Sequence, residues 1–257
     1  MKSILIIITA TVICFFVFRQ LNPATNKKQP SIRSAIESVN PISKLLINVV
    51  YFQDVSRSIK KNGVELISSS VFTPYYNAID RNIKISFGCI SELSARKLIS
   101  VTLPAITFTK PALADLSNTS ITEKKKLKEL YTTDIKKYHE DSTQYFSDRH
   151  TRFTEFCKSI DSLVGLFKDK LSMKTDISTA INVADKVFNF SGNDSARNIL
   201  ILNSDGLDTS KRSINKMKNK AIVILVNAGG NNHTSVDSII TTTLQDSEQA
   251  IQYSLTN

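Results

Sequence analysis

The sequence has no tryptophan, only seven glycines and six prolines, and three each of cysteine, histidine and methionine. So little glycine and proline excludes a collagen-like or low-complexity chain. Cys14, Cys89 and Cys157 lie far apart and form no C-x-x-C pair, which excludes a disulfide-stapled miniprotein and a structural zinc ribbon. His139, His150 and His233 fit no metal-ligand spacing. The first two read as exposed positions on helices. Aromatic residues are sparse and do not interleave with the basic runs, so nucleic acid has no base-stacking platform. A G-x-S-x-G elbow, a P-loop and a G-x-G-x-x-G turn are all missing. Gly229-Gly230 reads as a turn.

What is present points to a globular body behind a leader. The length of 257 residues suits one large domain, or one domain with an appendage. A hydrophobic content of 41% supports a sizeable core and is too high for a disordered chain. Lys and Arg outnumber Asp and Glu by 33 to 23, which favours acidic partners or anionic lipid.

Ile4–Phe18 is free of charge, with Lys2 before it and Arg19 after it. This run fits the apolar core of a signal peptide, and with Leu21 it reaches the lower limit of a membrane span. No small-x-small cleavage site follows it, and Ile13 before Cys14 does not suit a lipoprotein. We therefore read residues 1–21 as an uncleaved single-pass anchor, with a secreted product as the alternative. The positive residues after the run favour a cytoplasmic C-terminal side. The layout of an N-terminal export signal favours a periplasmic or extracellular one, which we adopt. Residues 22–41 are polar, contain Pro23, Pro30 and Pro41, and form a linker.

Residues 42–257 form the body. Leu45–Phe52, Asn198–Leu202 and Ala221–Val226 are continuous apolar runs, as expected of strands buried on both faces of a parallel sheet. Asn82–Ile90 and Lys97–Phe108 alternate more and suit neighbouring strands nearer an edge. Ile239–Leu244 suits a last edge strand. Ser178–Phe188 places Ile181, Ala184 and Phe188 on one helical face. Asp246-Ser247-Glu248 opens a final helix with Ala250, Ile251 and Leu255 on its apolar side. Strands alternating with helices imply a doubly wound α/β fold flanked by helices. Between them, about residues 110–171, lies a charged helical insertion expected beside the site. Its Phe153, Phe156, Ile160, Leu163, Val164 and Phe167 fall at helical spacing and face the sheet. Cys89 and Cys157 are read either as a pair or as two buried thiols.

Three loops carry the chemistry. Asp54-Val55-Ser56-Arg57-Ser58 follows the first buried strand, Ser204-Asp205-Gly206 follows a later one, and Lys174-Thr175-Asp176 precedes a helix. Each residue alone suits a helix cap or turn. Together they make an all-oxygen set suited to a hard divalent cation and poorly suited to zinc.

This constellation resembles the von Willebrand factor type A domain with its metal-ion-dependent adhesion site, over about residues 42–257. The resemblance implies a mostly parallel sheet with one antiparallel edge strand. It also implies a Mg²⁺ site, or one for Mn²⁺ or Ca²⁺. Ser56 and Ser58 would be direct hydroxyl ligands, Thr175 direct or through water, and Asp54 and Asp205 would act mostly through bound water. One position would be left for an Asp or Glu of a partner protein. The chain departs from the family at Arg57, at Ile59 and at Met173-Lys174. The two added cations either weaken metal binding or help attract an acidic partner. The expected function is a protein-binding module rather than an enzyme. Its rivals are a scaffold with a degenerate metal site that binds through the basic insertion, and a metal-dependent hydrolase.

Overall fold

The computed structural model describes residues 45–91, 98–113, 115–117, 119–168, 171–190, 196–210, 216–226 and 236–256. The anchor and linker expected over residues 1–41, the Gly229-Gly230 turn and His233 lie outside them. Among the described residues no helix is long and apolar enough to cross a membrane.

Six strands form one sheet. They are β1 (Leu46–Asp54), β2 (Asn82–Ile90), β3 (Ile99–Leu103), β4 (Arg197–Asn203), β5 (Ala221–Val226) and β6 (Thr242–Leu244). Their order is β3-β2-β1-β4-β5-β6. Every pairing is parallel except β2 with β3, so the antiparallel edge strand is β3. The expected last edge strand is present but shorter, because only Thr242–Leu244 pairs with β5.

The continuous apolar runs follow from burial on both sheet faces, since successive side chains point to opposite sides. On one face, Val49 and Tyr51 of β1 join Phe72, Phe87, Phe156, Ile160 and Ile251. On the other, Val50 and Phe52 join Ile177, Ile181, Phe188 and Leu200. Helix α4 (Ile177–Phe190) covers this second face. The first is covered by α5 (Ser247–Thr256) and by the C-terminal part of α3 (Ile121–Gly165). The short α1 (Ser58–Lys61), a 3₁₀ turn (Ser69–Phe72) and α2 (Thr73–Asn77) connect β1 to β2. Gly88 in β2 lies so close to its neighbours that a Cβ there would sit 2.7 Å from the Phe52 ring and 2.8 Å from Leu98.

Helix α3 occupies most of the expected insertion. Ser120 opens it with a capping box to Glu123. Phe156, Ile160 and Val164 are buried, while Phe153, Leu163 and Phe167 pack at the margin. Arg149 is 2% exposed. Its guanidinium donates to the carbonyls of Tyr75, Tyr76, Ala78 and Pro104 and to the Tyr145 hydroxyl. It thereby satisfies carbonyls at the C-terminal end of α2, where the helix dipole favours a cation.

These contacts fix the direction of α3. Leu46 pairs with Asn82 and Leu103 with Ile83, so Pro104 and Arg149 lie at the amino ends of the parallel strands. The chain after α3 reaches the opposite end, where Ser172 bridges Ser56. Residues 121–148 lie before the Arg149 clamp, a stretch about 42 Å long at 1.5 Å per residue, and Phe108, beyond the end of β3, packs on Tyr138 and Tyr145 within it. The expectation that the basic stretch flanks the site is overturned. Lys124, Lys125, Lys126 and Lys128 lie about 60 Å along the helix from its site-side end. The reason is that Arg149 and the aromatic residues after it anchor only the second part of α3 to the sheet.

Candidate metal centre at the carboxyl ends of β1 and β4

Chains leave β1 and β4 in opposite directions along the sheet, β1 towards β2 and β4 towards β5. Such a switch in strand order opens a crevice outside the carboxyl ends. Asp54 is the last residue of β1, and Ser204 and Asp205 follow β4 directly. The pairing of Gln53 with Asn203 sets the two loops side by side.

Asp54 is fully buried. One of its oxygens accepts from the Ser56 backbone N–H at 2.8 Å, and the other from the Ser204 hydroxyl at 2.7 Å. Burial pushes its carboxyl up to about 6. The charge of Asp205 adds to the rise, and the hydrogen bonds from Ser204 and Ser56 oppose it. Asp205 is also buried. Its carboxylate accepts from the Asn62 side chain at 2.8 Å and from the Leu207 backbone N–H at 3.0 Å. Gly206 turns the chain away with φ of +76°, a conformation that suits glycine.

The hydroxyls converge on the same corner. Ser56 Oγ and Ser58 Oγ are 2.9 Å apart, Ser56 being buried and Ser58 half-buried at the start of α1. The third loop joins through its backbone. Ser172 N–H donates to the Val55 carbonyl at 2.8 Å, and Arg57 N–H to the Ser172 carbonyl at 2.9 Å. Thr175, 1% exposed, is tied to the second loop. Its N–H donates to Thr209 Oγ1 at 2.8 Å, and its carbonyl accepts from the Thr209 N–H at 3.0 Å. Asp54, Ser56, Ser58 and Asp205 are thus neighbours through side chains or their electrostatic effect, and Thr175 through the main chain. Arg57 and Lys174 are exposed.

Sequence reasoning missed four supports of this corner. Ser204 holds the Asp54 carboxylate, and Asn62 holds Asp205. Gln53 is buried, donates to the Asp54 carbonyl at 2.7 Å and accepts from Asn203 at 2.8 Å. Asp208 accepts from the Ser178 N–H at the start of α4. Ser204 and Asp208 carried a signal, both standing in the Ser204-Asp205-Gly206-Leu207-Asp208 loop after β4. Gln53 and Asn62 had none.

The donors suit a hard cation. Two carboxylates and three hydroxyls offer only oxygen, the preference of Mg²⁺, Mn²⁺ and Ca²⁺. The ion pairs of the described residues include Arg81–Asp80 and Lys136–Glu140. Neither pair involves Asp54 or Asp205, so the two buried carboxylates of the corner have no cationic partner among the side chains that are described. No group of three or more His, Cys, Asp or Glu among the described residues is placed to hold a metal ion. A cation in this corner would therefore depend on the hydroxyls. The thiols do not pair: Cys89 is buried and free, and Cys157 is half-buried and free.

No protein-family profile matches the chain, and no curated protein matches it. Among solved structures it is similar to the pilus adhesin SpaC from Lactobacillus rhamnosus GG in an open conformation, with 9% identity and a TM-score of 0.38. The match covers 82% of this chain and 29% of the adhesin, so the chain spans under a third of that protein's length. A likeness this weak carries no argument about fold family or function.

Proposed function

We propose that the chain is a membrane-anchored binding module of the von Willebrand factor type A kind. In this reading it grips an Asp or Glu of a partner protein through a divalent cation. Asp54, Ser56, Ser58, Thr175 and Asp205 hold the ion, and Mg²⁺ is the first candidate, with Mn²⁺ or Ca²⁺ as substitutes. One observation carries the reading: Asp54 and Asp205 are adjacent buried carboxylates, beside a hydroxyl pair, with no cationic partner among the described side chains. Leaving both charged and uncompensated is costly, and a bound cation removes that cost. The sheet order supports the same reading, because the corner lies at the switch point of a doubly wound sheet. In this reading the module binds without turnover; among the described residues of the corner, Asp54 is the one candidate nucleophile.

Calorimetric titration with Mg²⁺ and thermal melts of the full chain test the metal. A site saturated at 100 times its Kd stabilises the fold by about 2.7 kcal/mol. Asp54→Ala, Ser56→Ala and Asp205→Ala should each abolish that rise. Absence of binding heat together with an unchanged melting temperature refutes the site. Capture of a partner with and without chelator then tests the function.

A second reading has its own support. Both Asp54 oxygens already accept hydrogen bonds, Ser56 and Ser58 bond each other, and Asn62 holds Asp205. A corner closed on itself in this way can persist without an ion, as a scaffold with a degenerate site. Partner capture that is insensitive to chelator selects this reading.

A further inference from the structure

The hydrogen bonds that close the corner differ in what an arriving ion can do to them. Two come from backbone N–H groups, Ser56 to Asp54 and Leu207 to Asp205, and these belong to the fold of their loops. Hydroxyls supply two more, Ser204 to Asp54 and the contact between Ser56 and Ser58. A hydroxyl keeps its lone pairs while it donates, so these oxygens can still face a cation. Asn62 is different. Its Nδ2 donates to Asp205 Oδ2 at 2.8 Å, and an amide nitrogen brings hydrogens but accepts nothing. Those hydrogens carry positive partial charge, so they and a cation repel each other when both approach one carboxylate oxygen.

Asn62 also stands where an ion has to go. It follows α1 directly, and its N–H donates to the Ser58 carbonyl at 3.2 Å, so Ser58 and Asn62 share one face of that turn. Ser58 and Asp205 are both candidate ligands. An ion held by both must sit between α1 and the loop after β4, and the Asn62 amide spans that gap. Asn62 and Ser58 are half-buried, whereas Asp54 and Ser204 are fully buried. The Asn62–Asp205 contact thus lies nearer the solvent than the Asp54–Ser204 contact. Gly63 follows with φ of +70° and ends the helix, so a single short turn carries both the hydroxyl and the amide.

We propose that Asn62 is an internal stand-in for the cation. Its amide joins α1 to Asp205 in the ion-free protein and withdraws when a divalent ion takes Asp205 Oδ2. The affinity of the corner for metal is therefore set by a contact that competes with the ion. This rests on the divalent-cation reading of the corner and deepens it.

The test is a calorimetric titration of MgCl₂ into the full chain for the wild type, Asn62→Ala and Asn62→Asp, with thermal melts in chelator to establish that each folds. Asn62→Ala removes the competitor without adding charge. It should lower the melting temperature in chelator and tighten Mg²⁺ binding by about tenfold, the equivalent of one hydrogen bond to a charged group. Asn62→Asp sets a second carboxylate against Asp205 in place of a donor, and should tighten binding further. In the wild type, the Asn62 side-chain amide protons should move upfield in NMR spectra as Mg²⁺ saturates, as loss of their hydrogen bond requires; this readout stands even where a variant fails to fold. Mg²⁺ binding by Asn62→Ala that is no tighter than that of the wild type overturns the proposal and leaves the metal site in place, with Asn62 a mere support of the loop. An amide signal that stays put at saturation overturns it in the same way. Absence of binding heat in the wild type removes the native metal site. In that event a gain of Mg²⁺ binding by either variant still supports the stand-in, and silence in all three proteins removes both readings.

Discussion

Asp54 occupies a position that water does not reach, and its protonation is therefore linked to folding. Burial raises its carboxyl from an ordinary value of 3.8 to about 6, so the native state favours the proton. The resulting stabilisation is complete below the unfolded value and disappears as pH rises through about 6, a loss of about 3 kcal/mol. We expect the metal-free protein to lose stability across that window, and Asp54→Asn to flatten the loss in urea titrations at several pH values. A cation needs the ionised carboxylate. The Mg²⁺-dependent rise in melting temperature should therefore be full near neutral pH and shrink as pH falls through about 6. Ser204→Ala withdraws a donor from the same buried group and should cost about 1–3 kcal/mol in chemical denaturation. The ligand candidates were legible because each stands in a short motif beside a strand end or helix start. Ser204 as a partner of Asp54 was not, because that contact depends on the register that pairs Gln53 with Asn203, and no local pattern encodes it. Asn62 was hidden for the same reason.

At the level of elements, the strands were the most legible part. Burial on both faces leaves an apolar run that no helix period explains, and β1, β4 and β5 all follow such runs. Thr242–Leu244 is a shorter strand than its apolar neighbourhood implied: at Thr241 the Val223 N–H donates to the side-chain hydroxyl instead of to a backbone carbonyl, although the Thr241 N–H still donates to the Val223 carbonyl. Helix α3 was legible only in part. Its apolar spacing marked the packed segment, but a run of mixed charge looks the same whether it lies on a body or leaves it. Arg149 stands between Asp148 and His150 and resembles any solvated arginine, yet it clamps α3 to α2 and to the end of β3. Arg149→Ala should cost about 3 kcal/mol, since it strands several carbonyls in a buried place. Equilibrium unfolding measures this, and a cost below 1 kcal/mol places the side chain on the surface. Gly88→Ala should cost about 1–3 kcal/mol by overpacking against Phe52 and Leu98, without altering Mg²⁺ binding.

Across the whole molecule, the two charged regions are too far apart to help each other. Exposed charges are screened over about 8 Å at physiological salt, whereas the lysines of α3 lie about 60 Å along the helix from the corner. Replacing Lys124, Lys125, Lys126 and Lys128 with Gln should therefore leave partner association at the corner and its salt dependence unchanged. Replacing Arg57 and Lys174, exposed beside the corner, should slow that association at low salt; surface plasmon resonance at several ionic strengths separates the two. An overall excess of lysine and arginine was legible in the composition. The distance of the four α3 lysines from the corner was not, because it depends on which stretch of one continuous helix finds the sheet.

The place of β1 between β2 and β4 also sets the order in which the protein can be made. β2 follows β1 closely, so β1, β2 and β3 can assemble early. The other edge of β1 must wait for β4, about 150 residues later, a delay of roughly ten to thirty seconds at ordinary rates of synthesis. During that interval Val50 and Phe52 have no α4 to cover them, and the nascent chain carries an open strand edge of the kind that recruits chaperones or neighbouring copies.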